Sequence, residues 1–204
     1  MAWLQLLDKR TEDWFSSFWG TPWLDAAMLD LTALGGFYVL TLVVLFSVGL
    51  LLTVRRYRTA GFVAAAVVGG VLLSRLIKAE IKRPRPGLRH WLVGAMFGSD
   101  YSFPSGHSMM STVVYLTLAL VFTAVIRRWK VRVFVVGSSL LLVGLVGLSR
   151  MYLGVHYPSD VVAGWAGGLV WALICRWVEY HWVLRAERRA AAEESPGPGA
   201  VETL

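Results

Sequence analysis

Two histidines and one carboxylate stand where they can do chemistry together. His156 precedes Asp160 by four residues, a spacing that sets both on one face if a helix begins near His156. A carboxylate bonded to one imidazole nitrogen fixes the tautomer and leaves the other nitrogen free to act as a nucleophile. His107 closes the run Pro104-Ser105-Gly106-His107 and is the candidate general acid, able to protonate a departing oxygen. His90 and His181 lie outside such clusters and read as interfacial residues.

The charges around these groups say what they would act on. Lys78, Arg85 and Arg150 fall at the ends of apolar stretches, where positive charge is costly unless something anionic neutralises it. Phosphate is the natural partner: arginine donates two parallel hydrogen bonds to it, and lysine adds a compact charge. Proline is favoured in the first turn of a helix, so the Pro104–His107 run opens one. The unpaired N–H groups of Ser105 and Gly106, with the helix dipole behind them, then make an anion cradle. Ser105 can add a hydroxyl donor, and Gly106 lets the backbone come close. Lys82, Arg83 and Arg89 read as headgroup contacts, Arg75 has no assigned role, and the sequence shows no cluster with metal-ligand spacing beyond the histidine–aspartate pair itself.

These residues need elements to bring them to one place, and the composition says which kind. At 56% hydrophobic over 204 residues, with a net charge of +7, the chain carries more apolar surface than a soluble domain of its length buries. Residues 31–54 form 24 consecutive positions without a formal charge, enough to cross a bilayer as one helix. Four further stretches, 59–74, 108–126, 133–149 and 161–175, reach span length with their flanks. None shows the alternation of a barrel strand, so the expected fold is all-α: a polytopic bundle of five transmembrane helices. Threading five spans puts all three chemical clusters, 78–86, 104–107 and 149–160, at one membrane face.

Outside the spans, residues 3–19 mix charge with tryptophan and phenylalanine as an amphipathic helix lying on the membrane would, and Pro22 is expected to break it. The expected organisation is an interfacial segment over 1–27, a membrane domain over 28–182 and a disordered cytoplasmic tail over 183–204, rich in Ala, Glu, Pro and Gly. Trp91, Trp129, Trp177 and Trp182 fall near span ends, as amphipathic rings prefer. The only cysteine, Cys175, allows no internal disulfide. Eleven of the 20 basic residues thread to the side away from the clusters, which should be cytoplasmic, and leave the clusters extracytoplasmic. The Gly69-Gly70 and Gly164–Gly168 patches read as close helix contacts.

Taken in order, the three clusters are lysine, six residues, Arg-Pro; then Pro-Ser-Gly-His; then Ser-Arg, five residues, His, three residues, Asp. The chain thereby resembles the type 2 phosphatidic acid phosphatase family over roughly residues 25–180, with every signature position present. The resemblance implies a helical core in a bacterial cytoplasmic membrane, a site that needs no metal or other cofactor, and a phosphohistidine intermediate on His156 oriented by Asp160. It further implies His107 as acid, and Lys78, Arg85, Ser105, Gly106 and Arg150 as the phosphate-binding shell. Many members carry six spans, against five and an interfacial start here. Implied substrates are membrane lipid phosphates such as undecaprenyl pyrophosphate, phosphatidylglycerophosphate or phosphatidate. Phosphotransfer to another acceptor, or binding and transport of anionic lipid without chemistry, stay open as alternatives. Haloperoxidases share the anion pocket, but the multi-span hydrophobicity argues against a soluble oxidase.

Overall fold

The computed structural model describes residues 2–86 and 101–194, with side chains from Leu6 onward apart from Leu7 and up to Trp182. Within them the chain is helical: α1 (Ala2–Ser16), α2 (Pro22–Ala33), α3 (Phe37–Thr53), α4 (Tyr57–Ile81), α5 (Gly106–Val125), α6 (Trp129–Tyr152) and α7 (Pro158–Glu194). Apolar runs with no outside partner for their backbone must close their hydrogen bonds internally, which is why they fold as helices. α4, α5, α6 and the Pro158–Trp182 part of α7 are each long and apolar enough to cross a membrane, and the bent pair α2–α3 is so when counted together as one span. The protein is a multi-pass membrane protein.

The expected span over 31–54 is thus not one continuous helix. It breaks at Leu34–Gly36, and the two halves meet at 42°. Close approach is the reason. A Cβ on Gly35 would collide with the Val146 side chain and lie 3.4 Å from the His107 carbonyl, so only glycine lets this corner press against α6 and the start of α5. The carbonyl of Leu34, left open by the break, accepts a 2.7 Å hydrogen bond from the Tyr115 hydroxyl.

α7 runs on to Glu194, well past the expected boundary at 182. The segment after Trp182 is, beyond Val183 and Leu184, built of Arg, Ala and Glu, all strong helix formers, and this local preference favours continuing the helix. Residues 195–204 lie outside the described residues, as do His90, Arg89 and Trp91.

α5 is the central helix, in contact with α3, α4, α6 and α7. Its partner α7 comes close because of glycine: a Cβ on Gly164 would sit 2.8 Å from the Ser105 carbonyl, and one on Gly168 2.7 Å from that of Met109. The predicted use of these patches is borne out. Two tryptophans that the sequence leaves inside the last span take similar roles. Trp171 packs on Gly69 and donates to the Ala66 carbonyl at 2.8 Å, and Trp165 packs on Gly147 and donates to the Val143 carbonyl at 3.2 Å. Trp129 is exposed at the start of α6, and Trp177 and Trp182 are exposed toward the end of the membrane-crossing part of α7.

α1 is the amphipathic helix that residues 3–19 predict, ending at Ser16, and Pro22 opens α2 as its first residue. One face carries exposed Leu6 and Trp14. The other is not left to the membrane surface: Phe15 is buried with Tyr152, Leu153 and Val155, against the end of α6.

Candidate active site

Each of the three sequence clusters ends or begins a helix at one end of the bundle, and local rules place the side chains. α4 stops at Lys82, which takes a left-handed conformation (φ 49°) and turns the chain toward Arg83 and Arg85. α6 stops in a Schellman turn: Val155 N–H bonds the Arg150 carbonyl at 3.3 Å and Gly154 N–H bonds Met151 at 3.0 Å, with Gly154 at φ 65°. That turn brings His156 back beside Arg150. α7 starts with Pro158 in its first turn, and Asp160 reaches back to accept the Tyr157 N–H at 3.1 Å, half of a capping box.

At the centre, the His156 ring is nearly fully buried. Its Nε2 lies 3.1 Å from Arg85 Nη1, and its Nδ1 lies 3.6 Å from Asp160 Oδ2. A guanidinium only donates, so Nε2 is the acceptor and carries the lone pair, and Nδ1 bears the proton that faces Asp160. Burial, and then the charges of Arg150, Arg85 and Lys78, hold the His156 imidazole well below its usual range and keep it neutral. The 3.6 Å spacing exceeds a hydrogen bond, as catalytic contacts often do before substrate tightens them.

Nε2 therefore faces a positive site. Arg85 also donates to the Val155 carbonyl at 3.2 Å, which holds its fork beside the ring. Arg150 is fully buried and anchored on Thr32 Oγ1 at 2.8 Å, a bond from α6 to the bent span. Lys78 gives its ammonium to the carbonyls of Tyr101, Ser102 and Pro104 at 3.0, 3.5 and 2.7 Å, and so fixes the strand of chain leading into α5. Ser105 is the N-cap of α5. Its Oγ accepts from Ser108 N–H at 3.4 Å and from the Ser108 hydroxyl at 3.0 Å, so its first duty is structural, with its own proton still able to donate. Gly106 opens the helix with room to spare: a Cβ there would meet only Lys78 Cε, at 3.9 Å.

A cavity of about 380 Å³ leads away from this cluster between α3 and α4. Lys78, Arg85, Gly106, His107 and His156 line its polar end, and Leu40, Val44, Leu45, Val67 and Val71 line the rest. Of the eight residues singled out from the sequence, five border this space. Arg150, Asp160 and Ser105 stand behind it and are fully buried. Arg75, unassigned from sequence, is exposed and also lines the cavity, one turn before Lys78.

Chemically, the arrangement can hold a phosphate between cations and helix N–H groups, with an imidazole lone pair on one side and a second imidazole on the same cavity wall. The sequence pattern of the PAP2 superfamily matches residues 58–183, which contain all of these groups. The chain belongs to the PAP2 superfamily. The phosphatidylglycerophosphatase B of Bacillus subtilis is 33% identical over 156 residues, covering 73% of this chain and 72% of its own length. An undecaprenyl-diphosphatase of Sulfolobus acidocaldarius is 34% identical over 125 residues, 58% of this chain and 55% of that one. The crystal structure of the PAP2-type phosphatidylglycerolphosphate phosphatase of Bacillus subtilis superposes with a TM-score of 0.77 at 27% identity, covering 89% of this chain and 88% of that one. This PAP2 protein is a phosphatase, a hydrolase of phosphate esters or anhydrides.

Two residues of the site escape sequence reasoning. Arg83, read as a headgroup contact, instead donates to Asp160 Oδ1 at 2.7 Å and to Asp8 Oδ2 at 2.8 Å. Asp8, read as one charge of a surface helix, is 4% exposed and fully engaged. The Arg-Pro-Arg-Pro run was the available signal for Arg83, since alternate positions there point the same way; Asp8 had none.

Proposed function

We propose that this protein is a metal-independent lipid phosphatase that takes the terminal phosphate from a lipid monophosphate or pyrophosphate through a phosphohistidine on His156. Lys78, Arg85 and the Gly106 N–H hold the phosphate, with the buried Arg150 charge and the Ser105 hydroxyl behind them; the Ser105 N–H, expected to be unpaired, is taken by the Asp160 carbonyl at 3.0 Å. His156 Nε2 attacks phosphorus while Asp160 steadies the charge that grows on the ring, and His107 gives a proton to the departing oxygen. Water then attacks the phosphohistidine, with His107 now accepting a proton, and inorganic phosphate leaves. Positive side chains supply the charge stabilisation that metal ions supply elsewhere.

The observation that carries the reading is the join between the Arg85–His156 pair, 3.1 Å apart, and a cavity whose remaining wall is mostly apolar. A headgroup at the polar end leaves its hydrocarbon tail among α3 and α4 side chains, toward lipid. Relatives that act on phosphatidylglycerophosphate and undecaprenyl pyrophosphate make these two, with phosphatidate, the first substrates to try. We place the site on the extracytoplasmic face of a cytoplasmic membrane, because Arg55, Arg56, Arg58, Arg127, Arg128, Lys130 and Arg132 flank the opposite helix ends, whereas Lys78, Arg83, Arg85 and Arg150 at this end are held by the site.

The test is phosphate release by purified protein in detergent with EDTA present, from those three lipids and a soluble phosphate ester. His156→Ala should lower release by about 10⁴-fold or more, as loss of a nucleophile does. Release that needs an added metal, or a variant that matches wild type, would overturn the mechanism, and the ranking of lipids supplies the substrate.

A further inference from the structure

The catalytic carboxylate is not held by its own helix alone. Asp160 Oδ2 takes the Tyr157 N–H and faces His156, which leaves Oδ1 to be fixed by something else. Arg83 Nη1 does this at 2.7 Å and bonds Ser159 Oγ at 2.7 Å, while its guanidinium stacks 4.0 Å over the Tyr157 ring. Arg83 is in turn held by Asp8 of α1. Asp8 Oδ2 accepts from Arg83 Nη2 at 2.8 Å and from Ser159 Oγ at 2.8 Å, and its Oδ1 accepts the Ser159 N–H at 3.1 Å.

That last bond has a specific meaning. The Ser159 N–H is one of the orphan donors in the first turn of α7, and a carboxylate from a different helix caps it. One aspartate, 151 residues away in sequence, therefore both caps the helix bearing Asp160 and holds the arginine that orients Asp160. Buried carboxylates seldom share a cation without need, because the desolvation cost of each is recovered only when geometry and hydrogen bonding are complete. Here they are complete. Asp8 makes three bonds, and Arg83 reaches one carboxylate with each of its terminal nitrogens.

We propose that Asp8 and Arg83 are positioning residues of the reaction: with Ser159 they form a relay through which α1 sets the orientation of Asp160 against the His156 imidazole. The relay rests on the assignment of His156 and Asp160 given above. It makes α1 part of the catalytic apparatus in addition to its place at the membrane surface. Arg83 balances the two carboxylates, so removing the Asp8 charge leaves the whole guanidinium on Asp160 and draws that carboxylate away from the proton on Nδ1. The transition state, in which the ring gains positive charge, loses support, while the phosphate-binding cations are untouched. The signature is therefore a fall in kcat with KM preserved.

The experiment compares D8N, R83Q, R83K, the D8N/R83Q double variant and D160N with wild type, on whichever panel lipid wild type hydrolyses fastest, with thermal unfolding in the same detergent. Groups acting as one unit give strongly non-additive losses, so D8N should lower kcat about tenfold with KM within about twofold, R83Q should lower it further, and the double variant should match R83Q. R83K should recover part of the loss, since one ammonium can serve only one carboxylate well. Should R83Q not accumulate as folded protein, D8N with S159A runs the same cycle, because Ser159 Oγ bridges both partners. A wild-type kcat for D8N, losses that multiply in the double variant, or an effect confined to KM or to the unfolding temperature overturns the relay. A wild-type rate for D160N instead overturns the site assignment beneath it.

Discussion

The two walls of the active-site cavity are built to opposite standards. On one side α5 is the most enclosed helix, with 61% of its span residues buried, and it meets α7 at glycines so close that a methyl group would strike backbone. On the other side α4 has 28% of its span buried, and the facing stretch of α3 carries exposed Leu42, Leu45, Phe46 and Leu50. The close-packed wall carries the proposed phosphate cradle and Asp160, where an error of an ångström would be costly. The loose wall adds Arg75 and Lys78 at the polar end and otherwise apolar surface, where a lipid chain needs bulk and no fixed geometry.

The sharpest way to break this division is to spoil the tight wall. Gly168→Leu puts side-chain carbon where the Met109 carbonyl and Thr112 Cβ already stand 2.7 Å from a built Cβ, and neither can move aside. Overpacking against backbone costs about 1–3 kcal/mol or more, so the variant should melt earlier in detergent and lose most phosphate release. Gly106→Ala comes next and separates packing from chemistry. The protein has room for that methyl group, 3.9 Å from Lys78 Cε, but a phosphate bound as proposed against the Gly106 N–H would not. Unchanged unfolding with a fall of about 10²-fold in kcat/KM is expected, the scale on which loss of one anion-stabilising donor acts. A fall in unfolding temperature instead would make Gly106 a packing residue.

What was legible in the sequence follows the same line. Lys78, Arg85, His107, Arg150, His156 and Asp160 could be read because short spacings and helix ends place them, and the helix ends are marked by charge in an otherwise apolar chain. The break at Gly35-Gly36 could not, because an uncharged run carries no mark where a neighbouring helix will press on it. The Asp8–Arg83–Ser159 relay could not either. Its members are 75, 76 and 151 residues apart, and an aspartate on an amphipathic helix looks the same in sequence whether it faces water or an arginine. Beyond Trp182, low apolar content predicts disorder while Ala, Glu and Arg favour helix by local preference alone, and α7 runs on to Glu194.

The loose wall should respond to the substrate's tail and to little else. Leu45 is 62% exposed and borders the cavity from α3. Leu45→Trp narrows the cavity without reaching the phosphate cradle. Hydrolysis of a long-chain lipid phosphate should therefore fall, by about tenfold if a chain of several methylenes is displaced at about 0.8 kcal/mol each and partly re-accommodated. A soluble phosphate ester should be cleaved at the wild-type rate. Equal loss on both would mean that α3 shapes the phosphate end as well.

The smallest effect is the most informative about α3 itself. Gly49→Ala and Gly164→Ala are the same substitution on the two walls. A methyl group on Gly164 meets the Ser105 carbonyl at 2.8 Å and the Met109 nitrogen at 3.1 Å, whereas one on Gly49 has nothing within 4 Å. Gly164→Ala should thus push α7 off the start of α5 and lower both the unfolding temperature and kcat. Gly49→Ala should leave both within error, at about 0.5 kcal/mol or less, since a methyl group there replaces lipid contact with lipid contact. If it proves as damaging as Gly164→Ala, then the outer face of α3 is not bathed in lipid but covered by another chain, and the loose wall is loose only in the isolated protein.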